Sequence, residues 1–262
     1  AETVGLIDVT PTICALMDIA IPQTVEGVSL VPLLKGKKLS NQNRFFYIES
    51  LIPTYLGANA LLGIRTREWK YIRTTRPELY HLKNDPEEKI NLVNTQPEEE
   101  RIYKGVLEKI LEEHLSISPG RLAVPGQARP GQDSLQSFPG TGYDAAQVTP
   151  QAFSVSPDKP DPKDLIEIHE GLQKVRQYKF EKKFSEARKI LEDLERQKAH
   201  FSVYDHLGEI ALEENNLALA RAYYTRSLEI NGNGYHANLN VGAMLTRAGK
   251  FEEAAHYFKQ AV

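Results

Sequence analysis

A displacement of 34 residues runs through the last third of this chain and limits what that third can become. Gly208 recurs as Gly242, Ala220 as Ala254, Tyr224 as Phe258 and Ser227 as Ala261, four matches at one period. Self-similarity at a fixed period of roughly 20–50 residues marks stacked supersecondary units. The spacing predicts two helices per unit: small residues let them approach closely, and a large residue one turn later fills the groove between them. A single unit of this kind cannot bury its apolar face, so units must stack. An earlier copy, "YKFEKKFSEARKILEDL", sets Ala187 against Ala220 and Leu191 against Tyr224 with one residue fewer between them. Units are therefore expected from about Asp164, Phe201 and Tyr235, the last cut short at Val262.

The preceding text cannot belong to such a stack. Residues 116–162 hold eight of the chain's 15 prolines, and a proline removes a backbone donor and breaks a helix or an interior strand. This tract is expected to be a linker between two domains, 1–115 and 163–262, and a Pro-rich peptide ligand is its other use.

The first segment has a mixed pattern, and α+β is the class expected for it. "DVTPTICALMDIAI" offers Thr10 as an N-cap and Pro11 at the first helical position, with Ile13, Leu16, Met17 and Ala20 on one face, which predicts a short buried helix. "RFFYIES", "ALLGIRT", "KYIRTT" and "ELYHL" predict an antiparallel meander. Asp85-Pro86-Glu87-Glu88 has the form of a helix start or tight turn, with Asp85 accepting from free amides. From Pro97 to about Leu115, Tyr103, Val106, Leu107, Ile110, Leu111 and His114 recur at helical spacing, so that helix is expected to lie across one sheet face.

Bulk properties exclude several classes. The net charge of -3 leaves no global basic field, and no basic patch with interleaved aromatics points to nucleic acid. No apolar run approaches the roughly 18 residues that span a bilayer. Cys14 is the only cysteine, which excludes an internal disulfide and a multi-cysteine zinc site. The start at Ala1, and a far end that stops inside a helical pattern, are those expected of an excerpt.

Two resemblances follow from these motifs. The 34-residue pattern resembles a tetratricopeptide array, which implies an all-α solenoid and a protein or peptide partner. "VGLIDVTPTICALMDIAIPQTVEGVSLVPLLKGK" and "GIRTREWKYIRTTRPELYHLKNDPEEKINLVN" resemble the C-terminal part of sulfatases of the alkaline phosphatase superfamily. The resemblance rests on Asp8, Pro11 and Thr12, on Gly27 to Gly36, and on Arg65, Thr66, Lys70, Tyr71, Ile72, Glu78, Leu79, Tyr80, Leu82, Asp85, Pro86, Glu88, Asn91 and Leu92. His81 stands where that family usually has Asp. Together the two halves look like a bacterial subgroup in which a sulfatase-like hydrolase carries a tetratricopeptide tail.

The resemblance implies hydrolysis of sulfate esters by a formylglycine beside a calcium ion, with the metal acting as a Lewis acid. Neither the formylglycine motif nor the calcium ligands map onto this chain. Cys14 is followed by Ala-Leu-Met and reads as a structural thiol. The catalytic residues are expected outside this sequence, so the chain alone is expected to be inactive and to bind no calcium. A periplasmic or secreted location is common among such relatives. A non-enzymatic tetratricopeptide scaffold is one alternative; a phosphatase, phosphonate hydrolase or phosphoethanolamine transferase of the same superfamily is another.

Four residues are the candidate substrate contacts. Glu49, Tyr55 and Asn59, with Ser50, fall in a loop between strands that could form one pocket wall, and Lys70 lies in a strand between Trp69 and Tyr71. Against these stand plainer roles: a paired or solvated lysine head, and capping for Asp85, Glu87 and Glu88. Adjacent helix positions do not share a face, so Asp205 and His206 are not expected to form a dyad. The remaining histidines show no metal spacing. The six residues expected to pack the repeats are Gly208, Ala220, Tyr224, Gly242, Ala254 and Phe258.

Overall fold

The structure, a computed structural model, describes residues 2–39, 44–116 and 153–261. It divides into two compact units, Ala1–Pro162 and Lys163–Val262.

The first unit is built on a four-stranded antiparallel sheet in the order β1-β2-β3-β4, formed by Phe46–Ser50, Leu61–Arg65, Trp69–Arg73 and Glu78–His81. These are the four β-rich runs of the sequence, joined as a meander. The register sets Tyr47 opposite Ile64, Ile64 opposite Tyr71 and Tyr71 opposite Leu79. Because strand side chains alternate, this row shares one face. The helix Pro97–Ser116 covers that face and brings Tyr103, Leu107 and Leu111 onto Leu62, Ile64, Tyr71 and Leu79. Leu62, Ile64, Leu79 and Leu107 are almost wholly buried, and each such side chain stabilises the fold by about 1.5–3 kcal/mol. Gly63 is needed at the centre, since a Cβ there would stand 2.4 Å from the carbonyl oxygen of Tyr71.

Ahead of the sheet lie two short helices, α1 (Val9–Leu16) and α2 (Val31–Leu34), which make the Pro97–Ser116 helix α3. Here the structure departs from the sequence-based expectation. Helix α1 takes Asp8 rather than Thr10 as its N-cap, and it ends before Ala20. Its apolar face is not buried: Ile13, Leu16 and Met17 are 50%, 62% and 64% exposed. The described residues of this unit simply supply no surface to cover it.

The second unit is six helices, α4 (Ile166–Phe180), α5 (Phe184–Gln197), α6 (Phe201–Glu213), α7 (Leu217–Ile230), α8 (Tyr235–Arg247) and α9 (Phe251–Gln260). They pack as three hairpins, each helix against its sequence neighbours, and α4 also meets α6. The hairpin turns share one conformation. Lys182, Asn215 and Gly249, spaced 33 and 34 residues apart, all have a left-handed backbone, with φ of 57°, 57° and 75°. Only the third turn uses the residue that adopts this conformation without steric cost.

Of the linker expected over 116–162, residues 117–152 lie outside the described residues. Phe153–Pro162 belong to the first unit and lie against its sheet.

Candidate functional site

Asp8 is the most connected polar residue of the first unit. Its side chain is fully buried. The Arg44 guanidinium donates to both carboxylate oxygens, at 2.9 and 2.5 Å, and the Gly5 and Val28 amides donate at 2.9 and 3.0 Å. Burial pushes the carboxyl up, but the Arg44 hydrogen bonds, the two amides and the guanidinium charge together hold it below the usual carboxylate range. Four residues on, the Thr12 hydroxyl donates to the Asp8 carbonyl and accepts from the Leu30 amide at 2.9 Å. Asp8 and Thr12 thus clip the Gly27–Leu30 segment onto α1. Gly27 lies so close to the chain turn before α1 that a Cβ would stand 1.9 Å from the Ile7 carbonyl oxygen. The Asp-x-x-Pro-Thr and Gly-x-Ser-Leu motifs are therefore the two halves of one joint. No sequence signal tied Arg44 to Asp8, because the pairing spans 36 residues and no local periodicity links the two.

The second motif closes the β4 edge of the sheet. Asp85 accepts from the Lys89 and Ile90 amides at 3.0 and 2.8 Å, which organises the turn after β4. Those two bonds lower the pKa of the Asp85 carboxyl. Asn91 then accepts the Leu79 amide at 3.0 Å and donates to the Pro77 carbonyl, while the Leu92 amide reaches the Leu79 carbonyl at 2.8 Å. Asn91 and Leu92 thus occupy the edge groups of Leu79, which would otherwise be open to pairing with another strand.

The four candidate substrate contacts do not converge. Lys70 projects from the face opposite α3 and donates to Glu88 at 2.6 Å. Asn59 is 1% exposed, and its amide is taken up by Thr75 and Ser156. Glu49 is exposed and accepts the Tyr47 hydroxyl at 2.7 Å. Tyr55 stands on a 3-10 turn, Ile52–Leu56, with 47% of its surface in solvent. Glu49 and Tyr55 are thus the two whose side chains still face solvent. Cys14 is half-buried on α1. Among the described residues no group of three or more His, Cys, Asp or Glu side chains could hold a metal ion.

Residues 1–116 match the family model described as N-sulphoglucosamine sulphohydrolase, C-terminal. This stretch is a sulfatase C-terminal domain. Its relatives include Arylsulfatase K of Mus musculus, 32% identical over 106 residues, which cover 37% of this chain and 19% of that protein. Delta 4,5-hexuronate-2-O-sulfatase of Bacteroides thetaiotaomicron is 33% identical over 90 residues, covering 33% and 18%. Among solved structures, a 2-O GAG sulfatase is 25% identical over 44% of this chain and 25% of its own, with a TM-score of 0.31. The phosphonate monoester hydrolase of Agrobacterium radiobacter is 24% identical over 42% and 24%, also with a TM-score of 0.31. The chain spans about a fifth of the length of the curated relatives it matches. The sulfatase domain's motif residues are thus seen at work as clips and caps that hold its fold.

In the helical unit the packing residues meet as follows. A Cβ on Gly208 would stand 2.7 Å from the Tyr224 ring, and one on Gly242 2.6 Å from the Phe258 ring. Ala220 and Ala254 are buried between the same helices. The first hairpin reaches the same fit differently, with Gly171 against Leu194, a pair the 33-residue alignment did not single out. Asp205 and His206 diverge as adjacent helix positions must. Asp205 accepts the Ser227 hydroxyl at 2.6 Å, whereas His206 pairs with Glu209 at 2.7 Å and Glu209 also receives Lys179.

Proposed function

We propose that this chain is the trailing part of a sulfuric ester hydrolase. The sulfatase domain completes a catalytic domain whose nucleophile and calcium ligands lie outside this sequence, and the helical unit is a tetratricopeptide module that holds a protein or peptide. The observation that carries the first half is the set of apolar side chains on residues 4–34 that the described residues leave exposed. Leu6 is 91% exposed, Leu34 70%, and Ile7, Val9, Ile13, Leu16, Met17 and Ile19 all stand about half or more in solvent. Val9, Ile13, Leu16 and Met17 recur at helical spacing along α1 and its C-cap; an exposed apolar patch of this kind marks an interaction site, and the clip of Asp8 and Thr12 fixes the segment that carries it. The sulfatase relatives support a sulfate ester as substrate; two of them are named Arylsulfatase K and Delta 4,5-hexuronate-2-O-sulfatase. Of the four candidate contacts, the exposed Glu49 and Tyr55, on β1 and on the turn after it, are the two proposed to touch such a substrate.

The helical unit's role is supported by the 34-residue period, by the shared turn conformation of its hairpins and by the glycine-to-ring contacts between their helices. The decisive measurement is hydrolysis of an aryl sulfate by this chain and by the longer protein that contains it, each with and without calcium. Calcium-dependent turnover by the longer protein and none by the chain is the expected result. Turnover by the chain alone overturns the assignment of the chemistry to residues outside it. Turnover of an aryl phosphate in place of the sulfate moves the protein to another branch of the superfamily.

A further inference from the structure

One end of the sheet is fastened from far along the chain. β1 ends and β2 begins at the pair Ser50–Leu61, and β3 ends at Arg73 beside Leu62, so the β1–β2 loop and the β3–β4 turn lie together. Onto this end comes the segment Phe153–Pro162. Phe153 packs on the core between sheet and α3, and its carbonyl accepts from the Arg73 guanidinium at 2.6 Å. Ser156 and Asn59 then exchange hydrogen bonds, the Ser156 amide donating to Asn59 Oδ1 and Asn59 Nδ2 donating to the Ser156 carbonyl, both at 2.9 Å. The same Nδ2 reaches the Thr75 hydroxyl at 2.7 Å, and the Asn59 amide points at the Pro160 carbonyl at 3.4 Å.

Asp161 completes the attachment. It is 3% exposed and accepts from the Thr74 hydroxyl, from the Arg76 amide at 2.8 Å and from the Arg76 guanidinium at 3.4 Å. A carboxylate is buried only at a cost unless its oxygens are satisfied, and the β3–β4 turn satisfies them. The sequence match to the sulfatase C-terminal family ends at residue 116, 37 residues before this segment begins.

We propose that Phe153–Pro162 is a strap that fixes the β1–β2 loop, with Asn59 and Asp161 as positioning residues for the wall that Glu49 and Tyr55 offer a substrate. The substrate part rests on the sulfatase function proposed above; the strap itself does not. The sulfatase domain then extends in structure to Pro162, and truncation at residue 116 removes the loop's support while leaving the sheet and α3.

Hydrogen exchange on the 262-residue chain tests the strap. Asp161→Ala and Asn59→Ala are expected to speed exchange in Leu51–Ala60 at least tenfold, with α6 unchanged and Asp161→Asn close to the parent. Ser156→Pro, which deletes one donor from a partly exposed site, serves if either alanine variant loses protection in β2 as well. Unchanged exchange in Leu51–Ala60 in the folded variants overturns the strap. In the longer, active protein, Asp161→Ala is expected to raise KM for an aryl sulfate severalfold with kcat within twofold. An unchanged KM, or a fall in kcat alone, overturns the positioning role. If that protein hydrolyses no sulfate ester, the sulfatase function fails, and the exchange result still decides the strap.

Discussion

Two buried aspartates show how far a carboxylate's role depends on its neighbours. Asp8 is held ionised by Arg44 and two amides, so its folded pKa lies below its unfolded one. Its contribution to stability is then fully present above about pH 4 and is lost as the pH falls through the folded value. Asp8→Asn should destabilise the sulfatase domain by about 3–5 kcal/mol, the cost of leaving a buried partner charge uncompensated, and should remove that acid-side decline. Denaturant unfolding at pH 3 and pH 7 measures both. Asp205 has the opposite sign. Burial pushes it up to about 6, against the Ser227 hydrogen bond and the His236 charge and with the help of Glu209. Its folded pKa exceeds the unfolded one, so the helical unit loses up to ~3 kcal/mol as the pH rises from about 4 through 6. Asp205→Asn keeps an acceptor for Ser227, and the loss across that pH range should shrink accordingly. A decline as steep as the parent's would remove Asp205 as its source. On the acid side Glu209 opposes it: burial raises its pKa, but His206 and Lys179 bring it down strongly.

Among the elements, hairpin packing in the second unit turns on single atoms. Gly208 sits 2.7 Å, measured from the Cβ it lacks, from a Tyr224 ring that is wholly buried. Helix propensity favours alanine over glycine by about 1 kcal/mol, yet overpacking costs typically 1–3 kcal/mol. Gly208→Ala should therefore lower the melting temperature of the helical unit, and Tyr224→Leu in the same chain should recover part of the loss. A rise in melting temperature for the single variant would mean the helices can part without cost. Gly27 is the sterner case, because the obstacle there is backbone rather than a ring. The period of 34 residues revealed the second and third hairpins; the first, with a 33-residue offset and a Gly171–Leu194 contact, was legible only in part.

For the whole molecule, the uncovered face of α1 and its flanks makes the largest difference between expectation and structure. Helical periodicity identified Ile13, Leu16 and Met17 as one face, and the natural inference was burial; the structure instead leaves them in solvent. Replacing Leu6 and Met17 with Lys should weaken binding of a hydrophobic dye and self-association of the chain by more than half, with the melting temperature within a few degrees. A loss of folding instead would mean that this face is used within the chain. The sequence by itself determined the meander, α3 across its face, the helical hairpins and the sulfatase motifs, since strand alternation, the helical repeat and turn chemistry are local in range. Which polar groups meet was decided only in three dimensions. Asp8 with Arg44, Asp161 with Thr74 and Arg76, and Asn59 with Ser156 join residues 36, 85 or more, and 97 positions apart. No periodicity encodes such pairs, because each is fixed by the desolvation of a polar group that needs a partner wherever the fold has placed one.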